Sequence, residues 1–537
     1  MFFEAQDSLR STIAIPTIST IRCEGVQEQA VPHEVSGVSL APRPSVVIAL
    51  VAAFLVVALI PLFTCSPLPL GDYPNHLARM YIISTLPHSQ ILQRYYEIHW
   101  QLIPNLALDL MVPQLARFMA VERAMLIFTG LTLVLLVAGC FAVHRALFGR
   151  LSYAPFAVFL LLYNRQFLWG MLNYLFSLGL ALLTFALWVA LRRKPLAIRC
   201  GIFVVLGMMV FISHLSGFGV LGVLIGGYEL HAFWQERNYR ALRKDLVAAI
   251  VALGSPVVMF VLFSPTGSRA SQFEYWGLQK RFIGLFDVFN NYLLALDVAT
   301  FLLVMAAIGL GFLLRKARLH SRMLLPLVSM ALIYCIIPSQ LFGSNGSDRR
   351  LIPALFLILA CSLEWNVRER YIVAVVALVF LVRTAVLIKN WTAASAIYRA
   401  NLEVMDQIPR GAKVATAVGE LDYPQLNNPP LGHLPNMAVV RREVLTNALF
   451  ADYGHQPLRF KPEYESELVQ HEYNVHVVAD ADPRTPLNTT VNPFERIPLT
   501  GFDYMLLVNK RYFHYPVPDM LRPVYSAGDT VLYQVSR

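Results

Sequence analysis

Charge is what this chain has least of: 15% of its 537 residues are Asp, Glu, Lys or Arg, against about 25% in soluble domains. A surface so poor in charge cannot face water on all sides, which excludes an ordinary soluble globule. Cysteine is scarce too. The six thiols (Cys23, Cys65, Cys140, Cys200, Cys335 and Cys361) lie mostly in or beside apolar runs, and none falls after Cys361. They show no paired spacing, so nothing points to a disulfide framework or a Cys-based metal site. They read as small buried apolar side chains. The 29 glycines are scattered and form no phosphate-cradling loop. Internal repeats and low-complexity arrays are absent as well.

What is present is apolar. Hydrophobic residues make up 56% of the chain and mean hydropathy is +0.54. Apolar runs of about 17 to 22 residues recur, the length that crosses a bilayer's hydrocarbon layer. This is the pattern of a polytopic α-helical membrane protein. A formal charge of +10 would suit nucleic acid only if the cations formed a patch or stripe. They sit instead in short clusters between apolar runs, as membrane topology demands, so no nucleic-acid partner is expected.

Eleven spans are expected, at about 46–65, 124–143, 151–167, 170–191, 200–215, 217–234, 246–264, 297–314, 323–341, 351–364 and 371–388. Alternate short connections carry 16 basic residues on one face, from Arg145 and Arg150 through to Arg368 and Arg370. The short connections on the other face hold only Arg165, Arg349 and Arg350. The positive-inside rule then puts the N-terminus in the cytoplasm and everything after about 390 outside, in the cell (inner) membrane. Splitting 200–234 into two spans around Ser213-His214-Leu215-Ser216-Gly217 is required; a single helix there would invert every later loop.

Three domains follow. Positions 1–44 form a polar leader, too long and too poor in apolar residues near its start for a signal peptide. It reads as a disordered cytoplasmic tail or an over-extended translation start. Positions 45–389 form the membrane domain, with a long external first loop at 66–123. Positions 390–537 form a small extracytoplasmic α/β domain, with strands expected at Ala412–Gly419, Tyr473–Ala479, Tyr504–Val508 and Asp529–Ser536.

The densest chemistry lies just past the first span, in Gly71-Asp72-Tyr73-Pro74-Asn75-His76-Leu77-Ala78-Arg79. Pro69 and Pro74 bracket Asp72 and restrict the backbone around it. Two readings are open: an Asp that caps a helix, or a carboxylate held at the interface as a general base. His76, one helical turn on, is placed to orient or assist it. Asp109 stands in the otherwise apolar Asn105–Pro113 and needs a partner or a polar cavity; either it pairs with Arg117, or it shares the cavity of Asp72. Arg349 and Arg350 break the positive-inside trend. Their forked guanidiniums suit a phosphate, although lipid headgroups would also hold them. His214 reads either as a residue at a helix–helix turn facing the cavity or as a packed or interfacial histidine. The loop Gln272–Gly277, with Lys280 and Arg281, reads as an aromatic anchor.

This layout resembles the C-type fold of integral-membrane glycosyltransferases that use polyprenyl-phosphate-linked sugars, such as mannosyl- and arabinosyltransferases. The resemblance rests on the N-in first span, the external loop opening with Gly71-Asp72-Tyr73-Pro74-Asn75-His76, the Asp348-Arg349-Arg350 helix end and the external C-terminal domain. Many members carry two adjacent acidic residues in that loop; here a single Asp is followed by Tyr-Pro-Asn-His. The resemblance implies inverting transfer of a sugar from the lipid carrier to a hydroxyl on a lipid, glycan or protein. Asp72, with His76 and Asp109, would be catalytic, and Arg349 and Arg350 would bind the donor phosphate. Some relatives use a divalent metal and others do not, so a metal stays open and no other cofactor is implied. The rival expectation is a non-catalytic transporter or envelope-assembly protein, but no inverted repeat or matched pair of broken helices supports a transporter.

Overall fold

The computed structural model describes residues 42–537 apart from 270–272, 276, 369, 422–428, 452, 465–474, 480–491, 514 and 537. Most of the expected leader, Gln272 and Trp276 of the aromatic loop, and Tyr473 of one expected strand lie outside the described residues.

Helix α1 (Pro44–Leu59) opens with proline in its first turn, where a missing N–H costs nothing. Helices α2 (Tyr73–Thr85), α3 (Gln90–Tyr95) and α4 (Ala107–Leu115) fold the long first loop. Next come α5 (Val121–Phe148), the single turn α6 (Arg165–Leu168), α7 (Leu172–Ala190), α8 (Leu196–Ser213), α9 (Leu215–Glu236) and α10 (Tyr239–Phe263). The short α11 (Leu278–Phe286) leads to α12 (Leu294–Leu313), α13 (Leu324–Ile336), α14 (Leu351–Ser362) and α15 (Arg370–Asp406). Among the described residues eight helices are long and apolar enough to cross a membrane: α1 with its extension to Phe63, α5, α7, α8, α9, α10, α12 and α15.

The run 151–167, expected as a helical span, takes another form. Helices α5 and α7 lie side by side and point the same way. Phe128 stacks on Phe176 near their starts, at 4.8 Å. Further along, a Cβ on Gly139 or Gly179 would come within 2.7 Å of Leu182 or Leu135, the close approach that small residues permit between membrane helices. The chain joining two parallel helices has to return along their length. It does so as a 3-10 helix, Ala154–Leu160, then a turn and α6. This return segment is almost wholly buried. Phe156 and Phe159 pack on Phe54 of α1, Phe159 also meets Phe380 of α15, and Tyr163 donates a 2.5 Å hydrogen bond to the Ala58 carbonyl. Irregular backbone at such depth is tolerated where protein surrounds it. A segment enclosed on every side is apolar whatever its geometry, which is why the run read as a helix.

The break in 200–234 falls at His214, whose backbone is extended (φ −169, ψ 135). Its Nδ1 accepts from the Ser216 N–H at 3.0 Å and so caps α9. Phe211 meets Phe218 across the turn. At the other end of these helices the basic residues are tied down. Arg192 reaches Glu229, Glu236 and Asp245, Arg199 pairs with Asp245, and Arg322 reaches Glu236 at 2.6 Å.

Helix α15 runs unbroken through position 390 and ends at Asp406. Beyond it a six-stranded sheet has the order 475–479, 413–421, 504–508, 530–535, 521–527, with 445–446 pairing the start of 413–421. The first three are parallel and the last two antiparallel. Thr530 donates to Asn401 of α15 at 2.6 Å, which seats the sheet on the helix. A short antiparallel pair, Tyr96–Ile98 with Leu458–Phe460, joins the first loop to the C-terminal region. Most of the expected strands are present, at the positions just given.

Candidate active site

Asp72 sits at the junction of the first loop with α2. Two backbone hydrogen bonds of 2.9 Å fix it, from Gly71 N–H to the Leu168 carbonyl and from Asp72 N–H to the Trp169 carbonyl. Both acceptors belong to the end of the return segment. Such contact needs residues without side chains. A Cβ on Gly71 would lie 3.0 Å from the Trp169 oxygen, and one on Gly170 (φ +86) would lie 2.9 Å from the Asp72 nitrogen. Asp72 occupies the N-cap position of α2, yet its carboxylate makes no capping hydrogen bond. The helix-cap reading therefore fails, and the carboxylate is left for other work.

That carboxylate keeps 33% of its side-chain surface open. Burial of the rest pushes its pKa up to about 7; Arg350, and after it Arg79, pull the other way. A carboxylic acid titrating near neutrality has the proton affinity a general base needs.

The following turn of α2 fastens the C-terminal region over the site. Asn75, fully buried, donates to the Ala448 carbonyl at 3.1 Å and accepts from the Phe450 N–H at 3.0 Å. Its amide nitrogen lies 3.4 Å from His433 Nδ1. The other imidazole nitrogen of His433 is 3.5 Å from Asp72 Oδ1, and the ring meets Phe450 edge-on at 4.7 Å.

The expected helpers of Asp72 have different places. His76 meets Asp72 through the backbone, its N–H donating to the Asp72 carbonyl at 2.9 Å. Its buried ring is held well below the usual imidazole pKa, first by desolvation and then by Arg79 and His433. Asp109 is neither paired with Arg117 nor open beside Asp72. It takes a forked pair of bonds from Arg79, Nε to Oδ1 at 2.8 Å and a terminal nitrogen to Oδ2 at 3.1 Å, and neither side chain is exposed. The reason lies in helical spacing on α2, which aims Arg79 at α4.

Arg350 acts on Asp72, and two further arginines gather on the ring of Trp169, whose carbonyl holds Asp72. Arg350 is buried, donates to Ser344 at 2.8 Å, and its carbonyl accepts from the Tyr174 hydroxyl. Arg349 pairs with Asp287 at 3.0 Å and lies over the Trp169 ring, 5.5 Å from its centroid. Arg165, also buried, lies 5.4 Å from the same ring centroid. The three cations that broke the charge pattern thus share one neighbourhood. Arg281, read as an anchor, instead donates to the Tyr334 and Ile337 carbonyls at the end of α13.

Sequence reasoning missed His433, Asn75 and Arg165. His433 had no signal, being one imidazole in a loop far along the chain. Arg165 did have one, as the third exception to the charge count. Among the described residues no three His, Cys, Asp or Glu side chains converge to hold a metal ion.

No family model and no curated protein sequence matches the chain. Solved structures do. The crystal structure of ArnT from Cupriavidus metallidurans bound to undecaprenyl phosphate superposes with a TM-score of 0.52 at 12% identity, covering 92% of this chain and 98% of that one. The apo form of the same protein matches at 0.49 and 14% identity, with 91% and 97% covered. The likeness to the bound form runs over nearly the whole of both chains, helices and C-terminal region together. It identifies this polytopic membrane protein as having the C-type fold of the integral-membrane glycosyltransferases.

Proposed function

We propose that the chain is a membrane glycosyltransferase that moves a sugar from a polyprenyl-phosphate carrier to a hydroxyl outside the cytoplasm. The observation that carries this reading is Asp72: a carboxylate pinned by backbone bonds, freed from capping, partly open, titrating near 7 and faced by Arg350. In the reaction Asp72 takes the proton of the acceptor hydroxyl as its oxygen bonds to the anomeric carbon. The bond from that carbon to the phosphate oxygen breaks, its electrons leave with the polyprenyl phosphate, and configuration inverts. Arg350, with Arg349 and Arg165, offsets the charge that gathers on the departing phosphate.

Eleven crossings, an N-terminus in the cytoplasm and a C-terminal region outside complete the reading. The 16-to-3 split of basic residues in the short connections supports them, the return segment 151–167 counting as a crossing. This topology puts Asp72 and the arginines at the outer bilayer edge, where a lipid-borne donor presents its headgroup.

The test compares surface glycans and glycolipids of cells with and without the gene, then asks the purified chain to transfer sugar from a synthetic polyprenyl-phosphate donor. Loss of one glycoform, restored by the wild-type chain, is expected. Unchanged glycans together with substrate flux in proteoliposomes would make it a transporter.

A further inference from the structure

His433 reaches the site from the far end of the chain. We propose that it is a positioning residue for Asp72: with its proton on Nε2, it hands an N–H to Asp72 Oδ1 and leaves Oδ2 for the acceptor hydroxyl. The proposal deepens the assignment of Asp72 as base and rests on it for its function, though not for its geometry.

Asn75 sets the tautomer of the His433 ring. An amide side chain can be turned either way, but here both ends are dictated by backbone partners. The Phe450 N–H can only donate, so Asn75 Oδ1 faces it; the Ala448 carbonyl can only accept, so Nδ2 faces that. One N–H of Asn75 is left over, and it points to His433 Nδ1 at 3.4 Å. A nitrogen that receives an N–H must offer its lone pair. In the neutral ring the proton then belongs on Nε2, and Nε2 is the atom 3.5 Å from Asp72 Oδ1. Protonating Nδ1 as well would set two donors against each other.

The chain of contacts thus runs from the backbone at 448 and 450, through Asn75 and His433, to the carboxylate. Phe450 fixes the ring edge-on. Both contacts are long for hydrogen bonds, as catalytic contacts commonly are before substrate tightens them. Among the described residues, Arg350 and Arg79 act on Asp72, and His76 faces His433. An N–H given to the ionised carboxylate favours that form. It also selects which oxygen stays open.

The test uses the full chain in nanodiscs, with ring-nitrogen-labelled histidine and carboxyl-labelled aspartate, read by NMR against His433→Phe and Asp72→Asn for assignment. At neutral pH His433 is expected to carry its proton on Nε2 with Nδ1 bare; the opposite tautomer would overturn the proposal. The Asp72 carboxyl is expected to titrate about one pH unit higher in His433→Phe and to return toward the wild-type value in His433→Gln, which keeps a donor. An unmoved Asp72 titration in His433→Phe would equally overturn it. Should His433→Phe not fold, the wild-type tautomer and the His433→Gln titration still decide. Neither readout needs turnover, so failure of glycosyl transfer would show separately, as a wild-type chain inert toward the synthetic donor.

Discussion

Gly170 stands so close to Asp72 that any side chain at 170 would put its Cβ 2.9 Å from the Asp72 nitrogen and 3.2 Å from its Cβ. Its φ of +86 adds a backbone conformation that only glycine adopts without strain. Gly170→Ala is expected to push the Asp72 loop off the Trp169 carbonyl and displace the carboxylate. Misplacement on the scale of an ångström costs about 100-fold in rate. The measurement is turnover of the purified variant beside its yield and helical content. A well-folded variant with full turnover would mean the position of Asp72 is immaterial.

Asp72→Asn keeps the shape of the side chain and removes the base. Transfer is expected to fall about 100- to 10,000-fold, while the variant inserts normally. In the wild type the rate should rise with pH as Asp72 loses its proton near 7.

Stability should move the opposite way. The folded carboxyl holds its proton to about 7, whereas in the unfolded chain it ionises near about 3.9. The folded state therefore binds more protons between those values and loses ground as pH rises across that window, with the loss complete above about 7. Asp72→Asn abolishes this cost. Its thermal midpoint is expected to exceed that of the wild type at pH 8 and to match it near pH 4. Equal midpoints at both would mean Asp72 is well hydrated.

Arg350→Gln is expected to raise the KM for the lipid donor by about tenfold or more, with undecaprenyl phosphate losing inhibitory potency in parallel. Arg165→Gln should do the same. Arg349→Gln also leaves Asp287 without its 3.0 Å partner, so its effect will include a loss of stability. Unchanged donor dependence in all three would reduce these residues to structural cations.

The Arg79–Asp109 pair is a different matter. Asp109→Leu alone strands a fully enclosed guanidinium and is expected to cost about 3–5 kcal/mol. The double replacement, Arg79→Met with Asp109→Leu, should recover most of it. Thermal midpoints of the two singles and the double form the cycle; a double variant worse than both singles would show that the pair does more than brace α2 against α4.

Much of this was legible beforehand, and for identifiable reasons. Long apolar runs, clustered cations and Gly-Asp turns are local signals, so most spans, the break at His214 and the sheet strands could be read in order. The acidic loop stood out because charge is rare in such a chain. What escaped reading was everything set by tertiary approach. For Asp109 the sequence offered either the nearby Arg117 or the cavity of Asp72, because sequence distance was the available guide to partners, whereas α2 and α4 meet so as to present Arg79. His433 enters the site because the short strand pair at 96–98 and 458–460 and the Asn75 contacts draw the C-terminal region onto the first loop. The clustered cations counted for topology carry a second duty as well, since Arg192 and Arg199 hold helix ends together through Glu229 and Asp245.

The buried return segment has a consequence for how the protein is made. A stretch that is not an α-helix leaves carbonyls and amides that lipid cannot satisfy. It has no resting place in the bilayer until α1, α5, α7 and α15 have closed around it. The two carbonyls that grip the Gly71-Asp72 turn lie at the end of this same stretch. Biogenesis and the geometry of the candidate site are therefore linked: in a nascent chain whose helices have inserted but not yet assembled, the Gly71-Asp72 turn lacks the carbonyls that hold it, and the site takes shape only at the last step of membrane folding.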